Sequence, residues 1–181
     1  MLFEPIEDHI PSELLVKLAL DPWELRDALR LRRAVFCHEQ GLFAGDDRDA
    51  IDNHAITLVA ISCIAGVPDQ VVGTVRIHEE NPGVWFGSRL AVHASFRRVS
   101  RIGASLIRLA VGSARARGCN TFLAHVQSQN ASMFARLHWH SLGEEQLHGR
   151  PHHFMQADLA HYPPPRTGVT GFVVAGGRVA A

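Results

Sequence analysis

Residues 95–104, SFRRVSRIGA, bring Arg97, Arg98 and Arg101 together with Val99, Ser100, Ile102, Gly103 and Ala104 in one short turn. Ahead of it, 84–92 (VWFGSRLAV) is β-branched and aromatic enough to read as a strand. Behind it, Ile102, Leu106, Ile107, Ala110, Val111 and Ala114 recur at three- and four-residue spacing, one face of a helix. Gly118 is placed to end that helix in a left-handed cap. A strand that enters a helix through small residues leaves the first backbone N–H groups without partners. Those groups, the positive end of the helix dipole and three arginines together suit an anion, phosphate above all. The turn has neither the Gly-Lys-Ser/Thr of a P-loop nor the three glycines of a dinucleotide fold. Glu39, His54, His78, Glu79 and Glu80 fall near predicted element ends, where a carboxylate or imidazole could take up a proton.

These residues need a scaffold, and the chain has the means to build one. Its 181 residues suffice for one domain over 1–162 with a tail over 163–181, and the 46% apolar, 20% charged composition argues against disorder. The formal net charge is zero, so no whole-molecule field draws nucleic acid or an anionic membrane, and neither is expected as a partner. Cys37, Cys63 and Cys119 are odd in number and lack metal-ligand spacing, which fits a reduced, cytoplasmic setting. No apolar run approaches the roughly 18 residues of a membrane span, and the acidic N-terminus is unlike a signal peptide.

Strands are predicted at 14–20, 55–64, 71–77, 84–92, 121–126, 142–147 and 153–159. Asp21, Pro22 and Glu24 open a helix that carries Leu25, Ala28, Leu29, Arg32, Val35 and Phe36 and ends near Gln40-Gly41. Further helices are predicted from 102 and over 131–137. Gly66 to Asp69 supplies a hairpin turn and Asn81-Pro82-Gly83 the next. Asp46, Asp47, Asp49 and Asp52 lack the glycine and terminal glutamate of a calcium loop and read as a solvated acidic loop. His148, His152 and His153 have no carboxylate or cysteine at ligand spacing, so no metal is expected. Trp85, Phe86, Phe122 and Trp139 read as core. The order predicts an α/β (α+β) fold, a mixed sheet covered by helices, with a ligand crevice where the turn leaves 84–92.

This order and the turn resemble the GNAT family of acyl-CoA-dependent N-acetyltransferases, over roughly 14–160. RVSRIG at 98–103 is similar to the family's Arg/Gln-x-x-Gly-x-Gly/Ala loop at Arg98 and Gly103, with Arg101 where the middle glycine is usual. LRRAVFCHEQG at 31–41 resembles the Arg-x-x-Val-Phe-x-x-Glu-Gln segment of one branch, which acyl-homoserine-lactone synthases share. FARLHW at 134–139 parallels the family's Tyr-Glu-Lys-Leu-Gly-Phe. RLHW at 136–139 and LHGRPH at 147–152 look like a GNAT subgroup from bacterial nitrogen-related clusters, some members of which are fused to a synthase-like domain.

The resemblance implies a mostly antiparallel sheet and direct attack of a small-molecule primary amine on the thioester of acetyl-CoA or a related acyl-CoA. It implies that the backbone of Leu90, Ala91 and Val92 pairs with the pantetheine arm, and that 97–104 holds the pyrophosphate. Gln127 and Asn130 would bond the cofactor arm, or equally cap a helix. Glu39 is the leading proton acceptor and Glu79 the second. Phe134 stands where many members carry a proton-donating tyrosine; His138, one turn on, would take that role or cap its helix. The rival activities are a non-catalytic acyl-CoA sensor and a carrier-protein-dependent lactone synthase. A homodimer through the terminal strands is expected.

Overall fold

A computed structural model describes residues 13–98, 101–166 and 171–175. Strand β1 (Glu13–Leu18) leads to helix α1 (Pro22–Arg33). Asp21 and Glu24 form the reciprocal capping box expected from their spacing. The helix does not stop at Arg33 but widens into a π-helical stretch, Ala34–Glu39, which ends at Gly41 with φ +63°. Strands β2 (Ile56–Ile64) and β3 (Val67–Asn81) follow as a hairpin. Its turn is Ala65-Gly66, both left-handed at φ 50° and 78°, so β3 begins where the sequence suggested loop.

Strand β4 (Val84–Val92) enters α2 (Ile102–Arg115), and Gly118 closes that helix at φ +88°. Then come β5 (Thr121–Gln127), α3 (Ala131–Arg136), β6 (Trp139–Leu147) and β7 (Arg150–Ala157). β8 (Phe172–Ala175) lies beyond the proline run and pairs with β1, giving the tail a structural place.

The eight strands form one sheet in the order β6-β7-β5-β4-β3-β2-β1-β8, antiparallel throughout except for β4 and β5. On one face α2 packs Ile102, Leu106, Ala110 and Val111 onto Leu58, Val72, Val75 and Phe122. On the other, α1 and its π extension pack Ala28, Leu31, Val35 and Phe36 onto Val59, Ile61 and Ala91. Two distortions of β4 position the site. Opposite Thr74 to Arg76 it carries two residues against one, a bulge that holds Arg89 at φ +56°. Its parallel ladder with β5 spans only Val84–Phe86 against Thr121–Leu123. Beyond Phe86 the strands part.

Candidate active site

A cavity of about 680 Å³ occupies this parting. Gly87, Ser88, Arg89 and Leu90 of β4 line one side, and Ala124 to Gln127 of β5 line the other. Because the gap passes through the sheet, residues of both faces reach the same space. From the α2 face come Ile107, Ala110, Val111, Phe122, Phe134 and Trp139. From the α1 face come Phe36, Gln40, Phe43, Asp47, His78 and His125 among others.

None of the described residues of the turn predicted to hold phosphate, Arg97, Arg98 and Arg101 to Ala104, lines the cavity; its neighbours along the chain that do are Leu90 and Ile107. Arg97, Arg98 and Arg101 are exposed, while Val99 and Ser100 lie outside the described residues. Among the described residues no side chain caps the N-terminus of α2, and Ser105 N donates to Arg101 O at 2.8 Å. Among the described residues a Cβ on Gly103 would meet nothing within 4 Å. Ile102 is core; Ala104 packs beside it. Val92 offers less free backbone than the sequence implied, because Arg97 Nε donates to its carbonyl at 3.0 Å.

Arg97 also forms a bidentate pair with Glu39, at 2.6 and 2.7 Å. That hydrogen bond holds the Glu39 carboxyl below its usual value and engages both oxygens, unlike the free proton acceptor implied by the sequence. Glu79 accepts from Gly83 N at 2.8 Å in the β3–β4 turn and is absent from the cavity lining. His138 is absent from it too: at φ +63° it turns out to stack on His161, centroids 3.6 Å apart. Gln127 and Asn130 do line the cavity, and Gln127 Nε2 donates to Gln40 Oε1 at 3.0 Å. Ala91 pairs with Thr74 and packs toward α1.

Of the histidines that line the cavity, His78, His125, His148 and His152, the one contributed by β3 is His78, only 5% exposed. Its Nε2 lies 3.1 Å from Glu80 Oε2, an arrangement in which Nε2–H donates and Nδ1 keeps a lone pair. Nδ1 has no partner among the described residues. Burial lowers the ring's pKa, and Glu80 only partly offsets this, so the ring is neutral at neutral pH. His54 stands edge-on to it, and Phe86, His125 and Phe154 continue the row across β4, β5 and β7. Phe86 is thus a cavity wall rather than core. His78 was legible only as one polar residue among several; the register that turns it inward was not.

The acidic loop is the largest departure. Far from being solvated, Asp47 is 1% exposed and lies under Arg32 and Arg89. Arg32 Nε donates to Asp47 Oδ2 at 2.8 Å and its Nη1 to Asp52 Oδ1 at 2.6 Å. Arg76 grips Asp49 with two bonds of 2.6 and 2.8 Å, and Arg89 bonds Asp47 and Asp49 while lying 4.5 Å over the Phe43 ring. Burial opposes the Arg32 charge, but Asp52 and Asp47 outweigh it and hold the guanidinium above its usual value. Burial would likewise raise Asp52, yet its bonds to Arg32, the Asp49 backbone and Arg76 pull it well below the carboxylate range. The network ties the 46–53 loop to α1, β3 and β4 and so builds one wall of the cavity. His148 packs on Phe43, His152 bonds Arg150 O and His153 pairs with Ser141.

A model of the acetyltransferase (GNAT) family matches residues 22–143. The chain belongs to the GNAT family. ElaA of Escherichia coli superposes with a TM-score of 0.66 at 17% identity, over 80% of this chain and 98% of that one. FeeM, an N-acyl amino acid synthase from uncultured soil microbes, gives 0.65 at 12% identity, over 82% and 93%. An aminoglycoside 6′-N-acetyltransferase complexed with coenzyme A gives 0.63 at 15% identity, over 78% and 95%. At such identities the likeness is one of fold, that of GNAT acyltransferases. No protein with a curated description matches. Among the described residues no helix is long and apolar enough to cross a membrane.

Proposed function

We propose that this GNAT protein transfers an acyl group from acyl-CoA to a primary amine of a small molecule by direct attack on the thioester. The observation that carries this reading is the parting of β4 from β5, with one cavity lined from both faces of the sheet and by Ile107, Ala110 and Val111 of α2. A thioester could lie in the gap with its diphosphate at the turn and its carbonyl reached by an amine from the α1 face.

In this reading the N-terminal amides of α2, with Gly103, Ala104, Arg98 and Arg101, take the diphosphate, and the exchangeable Arg97 joins them. The unpaired edge of β4 around Leu90 receives the pantetheine arm, with Gln127 and Asn130 facing it across the gap. An alkyl amine, like lysine with its pKa near 10, arrives protonated and must lose a proton before it attacks. His78 accepts it, oriented by Glu80, because its Nε2 is paired with Glu80 while Nδ1 has no partner among the described residues. The amine nitrogen then bonds to the carbonyl carbon, and the C–S bond breaks. Phe134 has no proton to give, so the leaving sulfur departs as thiolate, tolerable for a thiol with a pKa near 8.5.

Thermal unfolding with and without ligand tests the reading. Acetyl-CoA at 100 times its Kd is expected to add about 2.7 kcal/mol of stability. An unchanged Tm at millimolar CoA and acetyl-CoA would overturn it. Release of free thiol across a panel of primary amines then separates an enzyme from an acyl-CoA sensor.

A further inference from the structure

Segment 39–43 (EQGLF) leaves the π-helical stretch and crosses the parting of the sheet, tied to strands on both sides of it. On the β4 side Arg97 grips both carboxylate oxygens of Glu39, and the Arg89 guanidinium lies over the Phe43 ring. On the β5 and β7 side Gln127 Nε2 donates to Gln40 Oε1 at 3.0 Å, and Arg150 Nη2 donates to Gln40 O at 2.8 Å. His148, in the turn between β6 and β7, packs on Phe43 with ring centroids 4.9 Å apart. The LHGRPH stretch at 147–152 thus docks on this strap, and Gln40, Leu42, Phe43, Leu147 and His148 all line the cavity.

Two of these ties use groups that the acyl-CoA reading assigns to the cofactor: Arg97 to the diphosphate and Gln127 to the pantetheine arm. Neither tie is strong. The Arg97 and Glu39 side chains are 42% and 44% exposed, so water screens their attraction. The Gln127–Gln40 bond joins two neutral amides, and such a bond is readily exchanged for another. A diphosphate carries more charge than one carboxylate, which favours it on a guanidinium. Gly41 and Gly45, left-handed at φ +63° and +81°, turn the chain on either side of Leu42–Ala44.

Resting on the acyl-CoA reading above, we propose that Glu39 and Gln40 compete with acyl-CoA for Arg97 and Gln127, so that strap and cofactor weaken one another. A diphosphate that takes Arg97 displaces Glu39, and a pantetheine amide that takes Gln127 displaces Gln40. What remains of the ties is the Arg150 bond and the packing of Phe43, so the wall on the amine side loosens as the thioester binds. The coupling is reciprocal: the free energy that acyl-CoA takes from the strap is lost from its own binding. Glu39 is therefore an autoinhibitory contact, a carboxylate standing where phosphate would stand on Arg97.

The test is a double-mutant cycle on the full chain, with CoA binding measured by calorimetry for the parent, Glu39→Ala, Arg97→Ala and the double variant. Glu39→Ala should tighten Kd by roughly two- to fivefold, the worth of an exposed ion pair. In the Arg97→Ala background the same change should leave Kd as it was. A gain that persists there comes from the loss of negative charge alone and overturns the competition, as does Glu39→Ala binding no tighter than the parent. Hydrogen exchange reads the strap itself. Gln40 N donates to Val35 O and Leu42 N to Phe36 O, and saturating CoA should speed exchange at both amides. Glu39→Ala should speed it without CoA, by up to about fivefold. Exchange that CoA slows or leaves unchanged overturns the release of the strap and leaves the acyl-CoA reading standing. A parent protein that binds neither CoA nor acetyl-CoA overturns the acyl-CoA reading, and the competition with it.

Discussion

Arg97, Arg98 and Arg101 on the turn into α2 are exposed, whereas Arg32, Arg76 and Arg89 are packed against Asp47, Asp49 and Asp52. The same side chain does opposite work in the two places. At the turn, water solvates the guanidinium, so pairing with Glu39 contributes little and a phosphate can replace that partner. Under the acidic loop each guanidinium has lost its water, and the aspartates are what make burial tolerable. Exposed arginines remain available to a ligand; buried ones are spent on holding a wall.

The largest expected effect follows from that contrast. Arg32→Ala should leave Asp47 and Asp52 without their main cation and cost about 3–5 kcal/mol in urea unfolding. Glu39→Ala, which breaks only the exposed pair, should cost no more than about 1 kcal/mol. Equal losses for the two variants would erase the distinction.

Next is Arg98→Glu. It should weaken CoA roughly tenfold or more, the worth of a lost charge-assisted contact, while leaving dephosphorylated pantetheine almost unaffected. Its stability should stay within about 0.5 kcal/mol of the parent. Equal losses for both ligands would place the phosphates elsewhere.

Acid should find the buried side first. Asp49 and Asp52 have pKa values lowered in the folded state, chiefly by Arg76 for Asp49 and, against its burial, by Arg32 for Asp52. Groups depressed by folding contribute their full stability above the unfolded value, about 3.9, and lose it as pH falls through the folded one. Stability measured by denaturant should therefore decline as pH drops from about 5 toward 2, and Asp52→Asn should flatten that slope. A parent slope no steeper than the variant's would mean the pairing carries no such linkage.

The smallest effect tests the proton acceptor. Glu80 holds the His78 pKa up against burial, His54 and Arg76, so Glu80→Gln should move the acid limb of the pH–rate profile to lower pH. CoA affinity should stay unchanged. A limb that stays put would assign the proton to another group.

Local patterns in the chain carried most of the elements. The capping box at Asp21 and Glu24, the apolar face of α2 and the left-handed Gly118 all formed as their spacing required. What misled was the acidic loop: Asp47 lies 15 residues from Arg32 and 42 from Arg89, and no local rule joins them. Arg32 itself sat on the apolar face of its helix, at Ala28 plus four, a hint that it would be buried and need a partner.

The sequence by itself determined the elements, their order, the family and the arginine turn, because each rests on contacts between residues close along the chain. Tertiary structure decided which charges are buried, which histidine faces the cavity, and that β8 joins the sheet. It also decided where the sheet opens, because a gap is set by where the pairing of β4 and β5 stops. Strand pairing between distant segments depends on register and bulges, and those are fixed only when the whole sheet closes on its two helical layers.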